Sequence, residues 1–297
     1  MTKIRPETRW IEIEMSCVDQ QWYAIFPSKQ WEENAYEKLI QHRNPDQTLI
    51  KPEVINNMVE LVTHPHKSIE SAQKQASSLM ELCTQKSKEM GMVLSKVPWT
   101  KINKDNIPNN KIIEYCVTPK DYYLTATKEI LSVLKNPYDL LWAGCMATHI
   151  HMSAEDDEAT LLLFKAMSNY ASKLRQKWAA PQDMYMSPKR YHQWNKIIEA
   201  RKKIGHLVWG IDPENIPEDH ISYIYQHYFD EEGNLKRMHN IIAIKKPGER
   251  LTVELRSPDW VTGDKQLWKI IDFTKYLVQE AICTISQKVF IPTILKE

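Results

Sequence analysis

Glycine is scarce in this 297-residue chain, with only 7 in all. Neither GxxxxGK followed by Ser or Thr nor GxGxxG occurs, so a nucleotide phosphate would have neither glycine-rich cradle to sit in. The five cysteines, Cys17, Cys83, Cys116, Cys145 and Cys283, are odd in number and scattered without CxxC spacing. Neither a disulfide framework nor a cysteine zinc site is indicated, and a reducing compartment fits best. No apolar run approaches the roughly 18 residues of a membrane span, and the polar start MTKIRPETRW lacks the core of a signal peptide. We therefore expect a cytoplasmic protein with no membrane partner. Charge of one sign is also missing: 39 basic and 38 acidic residues leave a net +1, so no global field draws nucleic acid. Neither a repeat nor a low-complexity linker interrupts the chain, and residues 1–297 read as one domain.

The patterning that is present mixes two periods. In RWIEIEMS, Ile11, Ile13 and Met15 alternate with Glu12 and Glu14, the period-two mark of a strand with one apolar face. A helix is expected over 28–43, then one or two strands in LIKPEVINNMVELVT interrupted at Asn56 and Asn57. A long helix should begin at a Ser68 cap and close at Gly91. Residues 92–99 read as extended, KINKDNIPNNK as a loop, and 120–135 as a helix. The apolar run LLWAGCMATHIHMS reads as a buried strand. A helix from 155 to 178 should follow, capped by Ser153, with Glu155 to Glu158 in its first turn complementing the dipole. A helix over 188–203, a proline-containing stretch to about 220, a strand pair at MHNIIAIKK and RLTVELRS, and a helix over 264–288 complete a mixed α and β order.

Chemistry concentrates on the polar faces of the strands. His149 and His151 in ATHIHMS fall on one face about 6.6 Å apart. Glu254 and Arg256 lie opposite Val253 and Leu255, and NMVELV holds Glu60. Each alone reads as the wet side of an antiparallel sheet. Together on one sheet they would be a cluster of carboxylates, imidazoles and an arginine, costly unless cations compensate it. Oxygen-rich, thiol-free ligands favour Mg²⁺ or Mn²⁺, which in enzymes typically bridge to nucleotide phosphates. The THPH segment at 63–66 reads instead as a loop with exposed histidines, because Pro65 breaks the strand.

IEIE, PEVINNMVELVT, THIHMS and TVELRSPD, in this order and spacing, resemble the glutamate–cysteine ligase type of ATP-dependent carboxylate–amine ligases. The resemblance aligns Glu12 and Glu14 with an E-x-E pair and Glu53 and Glu60 with an acid seven residues before a glutamate. It aligns His149 with the first histidine of an H-x-H or H-x-N motif, and Glu254, Arg256 and Asp259 with E-x-R-x-x-D. It implies an α+β, glutamine synthetase-like fold: a curved antiparallel sheet forming a funnel, with helices on its outer face. It further implies that Glu12, Glu14, Glu53, Glu60, His149 and Glu254 hold metal ions on ATP, with Glu60 and Arg256 catalytic. His151, Arg190 and Arg256 would contact nucleotide or substrate. The implied reaction joins a glutamate-like carboxylate to an amine through an acyl phosphate. Small-molecule substrates are the expected partners, and self-association is left open.

Glu53 poses a geometric problem, since its odd spacing from Glu60 puts the two on opposite faces of one regular strand. It can join the site only across a bulge or bend. In MSPKRYHQWNK, Asn195 stands near where the family often has a second arginine beside Arg190. Two alternatives therefore stand beside the ligase: a metal-dependent hydrolase in which both histidines bind one transition metal, and an inactive relative that binds nucleotide or amino acid without turnover.

Overall fold

The computed structural model describes residues 8–21, 23–24, 50–53, 55, 57–89, 91–95, 103–107, 109–117, 121–144, 147–168, 196–197, 199–200, 203, 220–233, 235, 242–246, 249–256 and 264–294. Its centre is an antiparallel sheet. The strands are β1 (Thr8–Val18), β2 (Ile50–Pro52), β3 (Met58–Val62), β4 (Val93–Leu94), β5 (Thr148–Ser153), β6 (Ile242–Lys245) and β7 (Thr252–Leu255). They run in the order β2-β3-β1-β5-β7-β6, with β4 paired to the end of β1. The long β1 is the keel, because its alternation serves both neighbours: Ile13 faces Leu61 of β3 and Thr148 of β5.

One face of the sheet is the core. Ile11, Ile13, Met15, Val59, Leu61, Ile150, Met152, Val253 and Leu255 are buried there. Three helices cover that face: α1 (Ile69–Glu89) on β1, β3 and β4, α4 (Asp157–Ser168) on β5, β6 and β7, and α6 (Asp264–Ile294) across both helices. In α1 the buried Ile69, Ala72, Ala76, Leu79, Met80 and Cys83 recur at helical spacing. The Ser68 hydroxyl accepts from the Ser71 N–H at 3.2 Å, and Gly91 leaves the helix at φ +74°, so both expected caps are in place. Each fully buried strand isoleucine contributes about 1.5–3 kcal/mol of transfer free energy. The sheet therefore needs its helices on this side and leaves its other side for polar groups.

A second apolar cluster gathers Ile107, Ile112, Cys116, Val117, Ile130, Leu140, Ile197 and Ala200. It is built on α2 (Ile112–Cys116), α3 (Asp121–Val133) and a 3-10 segment over Pro137–Gly144. α5 (His220–Tyr228) packs on α4.

The structure departs from the sequence expectations at several points. The run LLWAGCMATHIHMS is not one strand, since Pro137–Gly144 is 3-10 and only Thr148–Ser153 is extended. Ser153 does not cap α4. It ends β5 with its hydroxyl on Thr8, and the Asp156 carboxylate instead accepts from the Ala159 N–H at 2.7 Å. The short α2 and the nine-residue α5 were not expected, and α6 extends to Ile294 rather than 288. The expected helix over 28–43 lies outside the described residues, and within 188–203 residues 196–197, 199–200 and 203 are helical. Among the described residues no helix is long and apolar enough to cross a membrane.

Candidate functional site

Opposite residues of an antiparallel pair share a face, so the register fixes what meets on the polar side. Glu14 stands across from Glu60, Glu12 from His149, and Trp10 from His151; His151 in turn stands across from Glu254. Four strands thus bring Glu12, Glu14, Glu60, His149, His151 and Glu254 to one surface, and Arg256 follows at the end of β7. That surface is no wet face. His149, His151 and Glu254 are 5%, 3% and 2% exposed.

Glu53 reaches the same surface by a route other than a bulge. β2 and β3 form a hairpin in which Lys51 pairs with Glu60 and Pro52 with Val59, and the Glu53 N–H donates to Met58 O at 3.4 Å. Across a hairpin, the residues that share a face follow the pairing register rather than the spacing along one strand. Here odd-numbered Glu53 and even-numbered Glu60 face the same way. The turn is tied to β1 by the buried Asn57 side chain, which donates to the Ser16 hydroxyl at 2.7 Å.

The centre of the cluster is crowded with opposed charge. Glu12 Oε2 lies 3.1 Å from His151 Nε2 and 3.4 Å from His149 Nδ1, while Glu254 Oε1 lies 3.7 Å and 3.4 Å from the same two atoms. One Nη of Arg256 donates to both Glu254 oxygens at 2.8 Å, and Lys245 Nζ stands 3.5 Å from Oε2. Burial alone would raise the Glu254 carboxyl, but Arg256, Lys245 and the histidines hold it down at about 2. Burial likewise works against Glu12, and His151 and His149 pull it well below the usual range. His149 is lowered, first by burial and then by Arg256, so at neutral pH it is an uncharged donor of a lone pair. Burial, then the charge of Arg256, lowers the Lys245 amine.

Two residues of this centre did not enter the sequence reading. Trp10 stacks on the His151 ring at 4.5 Å and 9° and points its indole N–H at Glu12 Oε1, 3.4 Å away. Lys245 sits at the end of β6, two residues beyond Ala243, which pairs with Glu254. The period-two alternation that marked Glu12 also marks Trp10 in RWIE, and IAIK puts Ala243 and Lys245 on one face. The signal was present in both segments. Arg190, Asn195 and Asp259 lie outside the described residues. The THPH histidines stay apart from this cluster: the His66 ring meets Gln75 Oε1 at 2.7 Å, and the same oxygen accepts from the His64 N–H at 2.8 Å.

The donor set suits divalent cations. Glu12, His151 and Glu254 offer one ligand atom each within 4.8 Å of one another, and so do Glu12, Glu60 and His149, and Glu14, Glu53 and Glu60. Glu12 belongs to the first two groups and Glu60 to the last two. Cations held 2.0–2.6 Å from oxygen would fit between donors at such separations. A further sign is His151 Nε2, buried and close to two carboxylates yet without a hydrogen bond of acceptable geometry. Among the described residues the direct neighbours of Glu12 are the two imidazoles and the Trp10 indole N–H, while the charges of Lys245 and Arg256 act on it from farther off. A cation would satisfy Glu12, and a ligand group entering beside it would satisfy the imidazole.

Neither the family models nor the curated proteins contain a match to this sequence. Among solved structures, the chain is similar to a glutamate–cysteine ligase from Francisella tularensis in complex with AMP, at 13% identity and TM-score 0.49, over 87% of this chain and 62% of that one. It is similar to a bifunctional glutathione synthetase from Pasteurella multocida at 10% identity and TM-score 0.49, over 86% of this chain and 36% of that one. A glutamine synthase homolog matches at 13% identity and TM-score 0.42, over 94% of this chain and 55% of that one. The chain thus spans less than two thirds of the length of each.

Proposed function

We propose that this chain is an ATP-dependent carboxylate–amine ligase with Mg²⁺ or Mn²⁺ as its metal. The observation that carries the proposal is the row of three overlapping donor groups on one sheet face, each built from carboxylates and two of them completed by a histidine. A single hydrolytic ion needs three or four ligands, whereas three groups sharing Glu12 and Glu60 suit several ions along an extended polyanion.

In this reading Glu12, Glu14, Glu53, Glu60, His149 and Glu254 hold the ions, which when bound would offset the charge of the ATP phosphates. His151 and Arg190 contact nucleotide or substrate. The reaction needs two displacements. An oxygen of a glutamate-like carboxylate attacks the γ-phosphorus, the bond to the β-phosphate oxygen breaks, and ADP leaves. The amine nitrogen then attacks the acyl carbon, phosphate departs with the electron pair of the broken C–O bond, and the nitrogen loses a proton. Both steps concentrate negative charge, so positioning and electrostatics supply the catalysis. Arg256 is the residue for that charge, its planar fork fitting phosphate or carboxylate, and Glu60, shared by two donor groups, completes the catalytic pair. A curved, funnel-shaped sheet and one catalytic domain over residues 1–297 belong to the same proposal.

The test is ADP release with ATP, Mg²⁺ and a panel of amino acids and amines, with mass detection of the amide. The product is expected to require both a carboxylate and an amine. Nucleotide binding without turnover over the whole panel would favour the inactive relative. The hydrolase reading draws on the two imidazoles that both face Glu12, at 3.1 and 3.4 Å. Stoichiometric zinc in the purified protein would favour it.

A further inference from the structure

We propose that Lys245 is a displaceable counter-ion, which neutralises Glu254 in the metal-free protein and passes to the incoming polyphosphate when a divalent cation takes that carboxylate. The inference rests on the ligase reading but concerns a residue outside every motif that led to it. Glu254 is almost fully buried, and its two oxygens face different ways. Oε1 looks toward His149 and His151 at 3.4 and 3.7 Å, and Oε2 toward Lys245 at 3.5 Å. Arg256 touches both.

Two cations, Lys245 at 3.5 Å and Arg256 at 2.8 Å, stand against the single charge of Glu254, while Glu12, Glu14 and Glu60 carry negative charge along the rest of the face. A divalent ion held by Glu12 and Glu254 would place its charge directly beside those of Lys245 and Arg256 in a poorly solvated place. That is unfavourable unless an anion enters with it. Metal and polyphosphate binding are therefore coupled through these side chains, and each raises the affinity for the other. Of the two cations, Lys245 is the one with room to move: its side chain is 35% exposed against 15% for Arg256. A lysine amine on a flexible stem can also exchange one oxygen for another more readily than a guanidinium held on two.

The experiment measures Mn²⁺ affinity alone, and then the affinity of the nonhydrolysable ATP analogue AMP-PNP in the presence of Mn²⁺, for the wild type, Lys245→Met and Lys245→Arg. Removing the competing charge should tighten Mn²⁺ alone by about threefold. The same change should weaken AMP-PNP by about tenfold, the scale of a lost charge-assisted hydrogen bond. Lys245→Arg should restore nucleotide affinity. This opposite movement separates a counter-ion from a structural lysine, whose loss would weaken both. If Lys245→Met weakens Mn²⁺ or leaves AMP-PNP affinity unchanged while the wild type binds both, the inference is overturned and the ligase reading stands. A wild-type protein that binds neither would overturn both.

Discussion

Replacing Arg256 with methionine keeps much of the side-chain volume and removes the guanidinium that touches both Glu254 oxygens at 2.8 Å. Glu254 is 2% exposed, so its charge then has to be borne with less help from water. Removing one partner of a buried pair costs about 3–5 kcal/mol. Lys245 remains 3.5 Å from the same carboxylate and softens the loss, so the metal-free protein should be destabilised by about 2–3 kcal/mol. The assay is urea unfolding at pH 7 in EDTA, with m compared between wild type and variant so that the difference is read as stability. Mg²⁺ should then stabilise the variant more than the wild type, because an ion on Glu254 replaces the missing charge. At one hundred times its dissociation constant, bound metal contributes roughly 2.7 kcal/mol. A loss below about 0.5 kcal/mol would show that Glu254 does not depend on Arg256. Equal stabilisation of the two proteins by Mg²⁺ would show that the ion does not sit on this carboxylate.

The two histidines should separate in their effects: His149→Ala is expected to abolish ADP release and weaken metal-dependent ATP binding, whereas His151→Asn should retain metal and part of the activity, and equal loss of bound metal would refute this division. For acid sensitivity, the Glu254 carboxyl sits at about 2, below its ordinary value of 4.5, so its contribution is full above 4.5 and disappears as the pH falls toward 2. Stability measured between pH 5 and 2 should accordingly fall less steeply in Glu254→Gln than in wild type, and parallel curves would count against the buried ion pair. Burial pushes the Cys17, Cys83 and Cys116 thiols up to about 12, while Cys283 is exposed. Of these four, Cys283 should be carbamidomethylated first by iodoacetamide at pH 8, as read by peptide mass spectrometry, and early labelling of Cys17 would contradict the packing of β1.

The alternation of apolar and acidic or imidazole residues was enough to find β1, β5 and β7 and to say which side chains share a face, because a strand has only two faces and the core claims one. What the alternation could not supply was pairing. Glu53 looked misplaced against Glu60 because both were read on one strand, whereas their common face is set by the register of the β2–β3 hairpin. Nor does local pattern distinguish a 3-10 segment from a strand when both are apolar, as at Pro137–Gly144. The α4 cap moved from Ser153 to Asp156 because Ser153 was already committed to the strand and to Thr8. Lys245 and Trp10 were missed for a different reason. Their importance comes from neighbours distant in sequence, Glu254 across one strand pair and His151 across another.

In β1 the side chains that fill the core and those that make the site alternate one by one, Ile11 with Glu12 and Ile13 with Glu14. An inserted or deleted residue before Ile11, unless absorbed by a bulge, would turn every carboxylate inward and every isoleucine outward in a single step. Point substitutions on β1 can erode the polar cluster while sparing the fold, or the reverse. Frame-preserving length changes cannot make that distinction. Along this lineage the length of β1 should therefore be held constant even where most of its residues drift, and homologues would be expected to carry their gaps beyond its ends.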